Sequence, residues 1–349
     1  MKAIDLRSDT ITLPTEEMIS SIKISRLGDD VYGEDSLVNE LEEKAAKIMG
    51  KEAGLLVTSG TQGNLLGILS QTNKGDEIIL EQEAHIYYYE VAGLAAIAGV
   101  MPRTIAGTDG VFDLNDVEQS IRSKDIHQPV SKLISIEQTH NRAGGVVIPL
   151  ANMQAIGKIA SEHNMAFHVD GARIFNAATY LNVNVAKLAE PATTVQFCLS
   201  KGLSAPIGSL LVGSSETIEK ARKFRKMVGG GMRQAGIIAG PGLVALETMP
   251  KRLQDDHDNA KVLAKGFSSI SGVQWKVKEP QTNIIKITTK NGLASKIINQ
   301  LKEIKIKAGT MDNHTVRFVT NRMVTKEDVN EVLTRIENSS SLLELLRTG

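Results

Sequence analysis

Helical and strand-like patterns of apolar residues alternate over most of this chain. Residues 37–49 place apolar side chains on one helical face and acidic side chains on the other, which predicts an amphipathic helix. Short apolar runs rich in β-branched residues follow and predict buried strands. The predicted strands are residues 54–58, 76–81, 100–105, 132–137, 166–169 and 194–199, and residues 114–122 and 150–163 are predicted helices between them. This order predicts an α/β domain with a mostly parallel sheet that helices cover on both faces.

The pattern changes towards the C-terminus. Residues 216–228 predict a basic helix, and residues 234–270 predict a helical stretch that Gly240-Pro241-Gly242 interrupts. Further strands are predicted at residues 283–288 and 316–320, and further helices at 292–303 and 325–346. Residues 1–13 predict an extended arm, which a helix from Pro14 to near Ile24 follows. We therefore predict a large domain over residues 1–249, including the arm, and a small α+β C-terminal domain over residues 250–349.

Composition excludes several classes of protein. Among 349 residues, 40 basic and 40 acidic side chains cancel, so no overall field favours a nucleic acid or an anionic membrane surface as partner. The single cysteine, Cys198, excludes an intrachain disulfide and a cysteine-cluster metal site, and we expect no metal. No apolar run approaches the roughly 18 residues that span a bilayer, and the N-terminus lacks a signal-peptide pattern. We therefore expect a cytoplasmic protein with no membrane partner.

The predicted strand 194–199 leads to Lys201, which lies between Ser200 and Gly202. An ammonium group there is either a surface charge that reaches water or an acid, or a partly desolvated amine nucleophile. Such an amine forms a Schiff base with a carbonyl group. The small residues that follow, up to Gly208, leave room for a planar group close to the backbone.

A second strand ends in His168-Val169-Asp170-Gly171-Ala172-Arg173. One βαβ step separates Asp170 from Lys201, so we expect both at the same edge of the sheet. A carboxylate and a lysine in these positions suit a pyridoxal cofactor, because the acid keeps the pyridine nitrogen protonated and the lysine holds the aldehyde. Arg173 either orients that cofactor or forms a structural ion pair with an aspartate.

Two further groups follow strands at this predicted edge. Ser59, Gly60 and Thr61 form a small-residue turn before a helical pattern, and a helix start of this kind presents free N–H groups to a phosphate. A plain N-cap role for Thr61 is the alternative. His85 follows the strand 76–81 and either faces a ligand or is an ordinary hydrogen-bonded loop histidine.

Three residues elsewhere are candidates for contacts with ligands or partners. Tyr32 lies in a glycine-flanked acidic loop and faces a pocket, another subunit or solvent. Arg233 follows a triple glycine, which allows backbone and guanidinium to approach an anion. Arg317 interrupts an apolar strand. Its planar guanidinium suits a substrate carboxylate, and an arginine that reaches water from an edge strand is the alternative.

Six segments together closely resemble the threonine aldolases, which belong to the aspartate-aminotransferase-like group of pyridoxal-phosphate enzymes. The segments are R-S-D-T-I-T-L-P from Arg7, D-D-V-Y-G-E-D from Asp29, T-S-G-T-Q-G-N from Thr58, H-V-D-G-A-R from His168, L-S-K-G-L-S-A-P-I-G-S from Leu199 and K-M-V-G-G-G-M-R-Q-A-G from Lys226. They occur in the family's order, and the resemblance extends beyond Arg317.

The resemblance implies roles for individual residues. Lys201 would bind pyridoxal 5'-phosphate covalently, Asp170 would pair with its pyridinium, Gly60 and Thr61 would hold its phosphate, and His85 would stack on its ring. Arg173 and Arg317 would grip the substrate carboxylate, Ser8 would contact the substrate, and His127 would touch its β-hydroxyl group. Tyr32, Lys226 and Arg233 would reach into a neighbouring subunit's site, in a homotetramer built as a dimer of dimers.

The implied reaction is retro-aldol cleavage of L-threonine or L-allo-threonine to glycine and an aldehyde, with His85 as base directly or through water. A β-eliminating lyase or an amino-acid racemase on the same scaffold is the alternative, and a cofactor-binding protein without turnover is a more distant one. The chain departs from many relatives at Ser204, where they have glycine. Asn141-Arg142 also adds a charge near the expected pocket, and its effect is open.

Overall fold

The computed structural model describes residues 2–23, 27–290 and 292–348. Its strands are β1 (Ile4–Asp5), β2 (Ala53–Val57), β3 (Glu77–Glu81), β4 (Met101–Ile105), β5 (Gly107–Thr108), β6 (Val111–Phe112), β7 (Ser131–Glu137), β8 (Ala166–Asp170), β9 (Thr194–Cys198), β10 (Ser209–Gly213), β11 (Trp275–Val277), β12 (Ile284–Thr289), β13 (Ile306–Lys307), β14 (Gly309–Thr310) and β15 (Thr315–Val319). Its α-helices are α1 (Glu16–Lys23), α2 (Ser36–Met49), α3 (Gly60–Leu69), α4 (His85–Tyr88), α5 (Leu114–Ser120), α6 (Leu150–Glu162), α7 (Ile174–Leu181), α8 (Val185–Ala189), α9 (Ser215–Met227), α10 (Gly236–Thr248), α11 (Leu253–Ser269), α12 (Ala294–Glu303), α13 (Lys326–Glu337) and α14 (Ser340–Thr348).

A seven-stranded sheet in the order β2-β10-β9-β8-β7-β3-β4 forms the centre of the molecule. All neighbouring strands are parallel except β10, which runs antiparallel to β2 and β9. The predicted α/β fold with a mostly parallel sheet is therefore confirmed, and each predicted strand lies within one or two residues of an observed one. β10 has no predicted counterpart, although Leu210, Leu211 and Val212 form a short apolar run there.

Successive residues of the central strands point into different hydrophobic clusters. Leu56 packs in the large cluster on the side of α2 and α10, whereas Leu55 and Val57 pack on the side of α3 and α9. β3, β9 and β10 are buried along their whole length. Continuous burial of this kind is expected for strands that helices cover on both faces.

The C-terminal part contains a four-stranded antiparallel sheet in the order β11-β12-β15-β14, with α11 to α14 packed around it. The N-terminal arm joins this part, because β1 pairs in parallel with β13 and because Ile4 and Leu6 are buried in the same hydrophobic cluster. A short 3-10 turn, Asp9–Ile11, then carries the chain towards the central sheet. The division near residue 250 stays a prediction.

Two helix predictions are wrong. α10 continues through Gly240-Pro241-Gly242, and the chain instead changes to a 3-10 turn at Met249–Arg252. A Cβ atom on Gly240 would lie 3.0 Å from Ser21 Oγ, and one on Gly242 would lie 2.9 Å from Leu41 Cδ2, so the glycines allow α1 and α2 to pack closely. This packing stabilises a helix that proline alone disfavours.

The predicted helix 325–346 is divided into α13 and α14 by Asn338 and Ser339. Leu342 and Leu346 of α14 are buried in the same cluster as Val332 of α13, and the turn lets both helices pack there. The predicted end of the first helix near Ile24 lies outside the described residues.

Candidate active site

A cavity of about 340 Å³ lies at the carboxyl ends of β8 and β9, beside the start of α3. The residues that line it are Thr58, Ser59, Gly60, Thr61, Asn64, His85, Glu90, Asp170, Ala172, Gln196, Cys198, Ser200, Lys201, Pro206, Ile207 and Gly208. Four surface grooves are larger, at about 780, 720, 570 and 460 Å³, but none of them is lined by a histidine or by more than one carboxylate. Since the smaller cavity lies at the strand edge where α/β sheets bind ligands, we identify it as the candidate active site.

Lys201 and Asp170 line this one cavity, on the expected edge of the sheet. β8 and β9 are parallel neighbours, and Asp170 lies opposite Gln196. Lys201 is partly buried, and its Nζ forms no hydrogen bond or ion pair within the described part of the chain. Thr12 Oγ1 donates to the Lys201 carbonyl oxygen at 2.9 Å and anchors the backbone there. An unpaired amine inside a cavity is available for a covalent bond to a carbonyl ligand.

Three donors hold the buried carboxylate of Asp170. Asn64 Nδ2 lies 3.0 Å from Oδ2, the Ala172 N–H lies 3.1 Å from Oδ1, and the Gln196 amide donates to Oδ1 at 2.9 Å in the orientation that satisfies both of its ends. Burial lowers the pKa of the neighbouring His168 to about 4. The ring is therefore neutral near pH 7, and its Nε2 lies 3.1 Å from Asn64 Oδ1.

The start of α3 offers an anion site beside these groups. Ser59 is the N-cap, and its Oγ accepts from Gln62 N at 3.2 Å. The N–H groups of Gly60 and Thr61 have no acceptor among the described residues, and both residues line the cavity. A Cβ atom on Gly60 would lie 3.0 Å from Cys198 Sγ, so this turn requires a small residue. Free N–H groups at the positive end of a helix bind phosphates.

His85 begins α4 at the wall of the cavity. Its backbone N–H donates to Glu137 Oε2 at 2.8 Å, and its Nδ1 lies 3.1 Å from Glu90 Oε1. Burial lowers the pKa of His85, but the hydrogen bond with Glu90 and the charges of Asp170 and Glu137 outweigh this effect and raise it above its usual value. The imidazole is thus placed to exchange a proton near neutral pH.

Two arginines that the resemblance assigns to a substrate carboxylate differ in their partners. Arg173 forms a buried two-point ion pair with Asp9, with both N–O distances at 2.7 Å. Arg317 donates to Asn141 Oδ1 at 2.8 Å and to the Arg7 carbonyl at 3.2 Å, and its buried Nε has no partner among the described residues. Arg173 is therefore neutralised by a carboxylate, whereas Arg317 has only neutral acceptors.

Other predicted site residues lie outside the cavity of this single chain. The side chain of His127 is 87% exposed and pairs with Asp125 on a surface loop. Tyr32 is 75% exposed, and Lys226 is also exposed. Arg233 pairs with Asp29, which brings it beside the loop that carries Tyr32.

Ser8 lies on the arm and caps the turn Asp9–Ile11, where its Oγ accepts from Thr10 N. The carbonyl oxygen of the preceding Arg7 accepts from Arg317. The arm thus carries Ser8 close to both arginines.

Several residues of this site were not predicted from the sequence. Asn64 lies within the T-S-G-T-Q-G-N segment, but nothing in its spacing indicates that its amide bridges two carboxylates. Glu90 follows an aromatic run and looks like a surface acid in the sequence, although only 7% of it is exposed. Arg142 stacks over the Tyr88 ring at 4.1 Å and donates to Tyr89 Oη at 2.9 Å. Its guanidinium therefore holds the two tyrosines in place, and the Tyr89 ring contacts His85.

Ser204, the departure from glycine, has a φ of +62°. This left-handed region favours glycine, the residue that the family resemblance leads us to expect at this position. The serine is fully buried, and its Oγ lies 3.4 Å from Arg322 Nε.

The chain is similar to beta-eliminating lyases, whose family profile matches residues 5–290. It is 41% identical over 340 residues to low-specificity L-threonine aldolase 1 of Arabidopsis thaliana, over 95% of each chain. It is 39% identical over 330 residues to the low specificity L-threonine aldolase of Escherichia coli strain K12, over 94% of this chain and 97% of that one.

Solved structures share the fold. Threonine aldolase from Leishmania major superposes with a TM-score of 0.82 at 18% identity and covers 97% of this chain and 99% of its own. A structure of SPT with a PLP internal aldimine superposes with a TM-score of 0.77 at 15% identity, over 98% of this chain and 88% of that one. Within the described ranges, none of the helices is both long and apolar enough to cross a membrane.

Proposed function

This chain belongs to the low-specificity L-threonine aldolases, within the beta-eliminating lyases, and from that membership we propose that it cleaves L-threonine and L-allo-threonine to glycine and acetaldehyde. We also propose that pyridoxal 5'-phosphate is its cofactor. The observation that supports both proposals is one cavity in which a free amine, a buried carboxylate and an open helix start lie together.

The residues of the cavity fit this cofactor. Lys201 would hold its aldehyde carbon, Asp170 its ring nitrogen, and the turn Ser59-Gly60-Thr61 its phosphate, while His85 would lie against its ring. When bound, the cofactor supplies an electron sink for the negative charge that develops at Cα as the carbon–carbon bond breaks. The buried donors around Asp170 fix its carboxylate so that it can pair with the ring nitrogen of the proposed cofactor.

Arg317 is the proposed main contact for the substrate carboxylate. Its guanidinium is partly buried, and its described partners, Asn141 and Arg7, offer only neutral oxygen atoms. Burial and the positive charge of Arg173 lower its pKa, and a carboxylate would relieve this repulsion. Arg173, whose charge Asp9 balances, would be a secondary contact, and Ser8 would donate a hydrogen bond.

His85 is the proposed base for the β-hydroxyl proton, directly or through one water molecule. Its raised pKa lets the ring keep that proton while the aldehyde leaves. A contact between His127 and the β-hydroxyl group requires either a rearrangement of the loop or a neighbouring subunit, since this side chain is exposed.

We further propose a homotetramer built as a dimer of dimers, in which each subunit contributes residues to its partner's active site. Tyr32, Lys226 and Arg233 lie on one exposed face, where Arg225 and Arg233 fix the acidic loop through Asp30 and Asp29. The neighbouring apolar side chains of Val31 and Met227, which are 41% and 76% exposed, add to the surface that a second subunit would cover.

Product analysis tests the proposed function. The purified protein with pyridoxal phosphate is expected to convert L-threonine to glycine and acetaldehyde in equal amounts. Ammonia and a keto acid would instead indicate a β-eliminating lyase, and D-allo-threonine, which forms from L-threonine by inversion at Cα, would indicate a racemase. Either result without glycine would contradict the proposal.

A further inference from the structure

Glu90 is a buried acid on the wall of the cavity that no step above uses. His85, Glu90 and Asp170 each contribute one nitrogen or oxygen atom to a group in which these atoms lie within 4.8 Å of one another. A carboxylate so close to an imidazole and a second carboxylate is costly unless hydrogen bonds hold it. Its partners therefore indicate what it does.

Asn64 fixes the position of Glu90. His168 is neutral, and its Nδ1 lies 2.8 Å from Thr194 Oγ1, whose own oxygen accepts from Gln71 Nε2. The threonine hydrogen is thus free to point at Nδ1, which leaves Nε2–H to donate to Asn64 Oδ1.

With its oxygen bound in this way, the Asn64 amide nitrogen points at both carboxylates. It donates to Glu90 Oε1 at 2.8 Å and to Asp170 Oδ2 at 3.0 Å. Glu90 is therefore held through the same asparagine as the acid proposed to pair with the cofactor.

Glu90 Oε1 also lies 3.1 Å from Nδ1 of His85. The other ring nitrogen, Nε2, has no hydrogen-bond partner within the described ranges. We propose that Glu90 is a positioning residue, whose carboxylate accepts Nδ1–H of His85 and so leaves Nε2 as the unprotonated nitrogen that faces the cavity. This inference rests on the proposed function for the proton that Nε2 takes, namely that of the β-hydroxyl group.

The charges around His85 support this arrangement. Glu90, Asp170 and Glu137 are the carboxylates that face the ring, and together they stabilise its protonated form against the effect of burial. Burial raises the pKa of Glu90 above its usual value and the charge of Asp170 adds to this effect, although hydrogen bonds with His85 and Asn64 oppose it by stabilising the carboxylate. Glu90 thus offers an acceptor while Nε2 is free and a counter-charge once Nε2 is protonated, as the aspartate of a Ser-His-Asp triad does.

Nitrogen NMR of the holoenzyme with ¹⁵N-labelled histidine tests the proposal without measuring activity. The chain has 7 histidines, and His85→Asn identifies the signal of interest. In the wild type, neutral His85 is expected to carry its proton on Nδ1. Glu90→Gln keeps an oxygen acceptor, so the tautomer is expected to persist while the pKa of His85 falls. Glu90→Ala removes the acceptor, and the proton is expected to move to Nε2.

Kinetics provide the second readout. In Glu90→Ala, kcat for threonine cleavage is expected to fall by about tenfold or more, part of what acid–base catalysis contributes, with KM changed less. Glu90→Gln is expected to restore part of kcat, because the acceptor remains. Glu42→Gln is the matched control, since it removes a buried carboxylate that pairs with Arg222 away from the cavity, and it should leave the His85 signals unchanged.

Two results would overturn the proposal. One is a wild-type His85 with its proton on Nε2, which would mean that a protonated Glu90 donates to Nδ1. The other is a folded Glu90→Ala protein with unchanged His85 signals and unchanged kcat. Absence of threonine cleavage in the wild type would contradict the proposed function instead, and the NMR result would still decide the relation of Glu90 to His85.

Discussion

Asp9 and Arg173 form a buried ion pair, in which the two side chains are 0% and 5% exposed. Burial would raise the pKa of Asp9, but Arg173 lowers it from 3.8 to about 2. Because the folded-state pKa is the lower one, the pair stabilises the fold fully above about pH 4 and loses this contribution as the pH falls towards 2. Asp9 also accepts from Asn283 at 3.2 Å, so the pair links the arm to both parts of the chain.

Asp9→Asn is expected to lower the free energy of unfolding by about 3–5 kcal/mol at pH 7, because it leaves Arg173 buried without its counter-charge. Urea unfolding at pH 7 and pH 3 measures the change, and the difference from wild type should be smaller at pH 3. Asp5→Asn is the control, because its partly exposed pair with Arg7 should contribute about 1 kcal/mol or less. A difference that does not shrink at pH 3 would contradict the assigned pKa.

Arg317→Gln is expected to raise KM for L-threonine by about 10- to 100-fold, the range that loss of a charged hydrogen bond of about 1.5–3 kcal/mol produces. Arg103→Gln changes a partly buried arginine that pairs with Glu77 on the far strands of the sheet, and it should leave KM unchanged. Steady-state kinetics distinguish the two, and an unchanged KM in Arg317→Gln would exclude it as the carboxylate contact.

The sequence was enough to predict the site residues that follow strands, but not those that lie on helices and loops. Lys201 and Asp170 could be paired from the sequence because parallel strands place their carboxyl ends at one edge. Glu90 and Asn64 lie on segments whose direction depends on the tertiary structure, so no local pattern indicates that they meet. The partner of Arg173 could not be named for the same reason, since Asp9 lies far away in the chain.

At the level of elements, α10 shows tertiary packing overriding a local signal. Proline inside a helix removes one hydrogen bond and disfavours the helix locally. The buried glycines on each side let the neighbouring helices approach, and this packing depends on Ser21 and Leu41, which lie 219 and 201 positions earlier in the chain, so no local pattern includes them. Except for β10, the strands of the central sheet were predicted better, because continuous burial leaves an apolar run in the sequence.

Gly242→Val is expected to destabilise the protein by about 1–3 kcal/mol, because its Cβ would overlap Leu41 and Leu199 and overpack the core. Gly93→Ala is the control, since a Cβ atom there meets nothing within 4 Å and the backbone is right-handed helical. Urea unfolding should separate the two variants, and equal stabilities would show that α10 has room to shift.

At the scale of the whole molecule, the arm connects the two hydrophobic clusters beside the cavity. β1 and Leu6 belong to the C-terminal cluster, whereas Met18 of α1 belongs to the large one. The arm between them carries Ser8 and Asp9 past both arginines. The exposed positions of Tyr32, Lys226 and Arg233 remain without a ligand partner in one chain, which is why we propose shared sites.

Mixing of inactive subunits tests the shared sites. Lys201→Ala and Arg233→Ala homomers should each lose most activity, and dissociation followed by reassembly of the mixture should restore part of it. Restoration is expected because a mixed oligomer contains some sites in which both residues are native. Recovery of no activity, with mixed oligomers verified by mass spectrometry, would place Arg233 outside the neighbouring site.

The central claim is that Lys201 is the amine that carries the cofactor, opposite Asp170 in one cavity. Borohydride reduction of the purified holoenzyme, followed by digestion and mass spectrometry, tests it most directly. The expected result is a pyridoxyl-phosphate mass increment on the peptide that contains Lys201, with none in Lys201→Ala. An increment on another lysine, or none on the active wild-type enzyme, would contradict the claim.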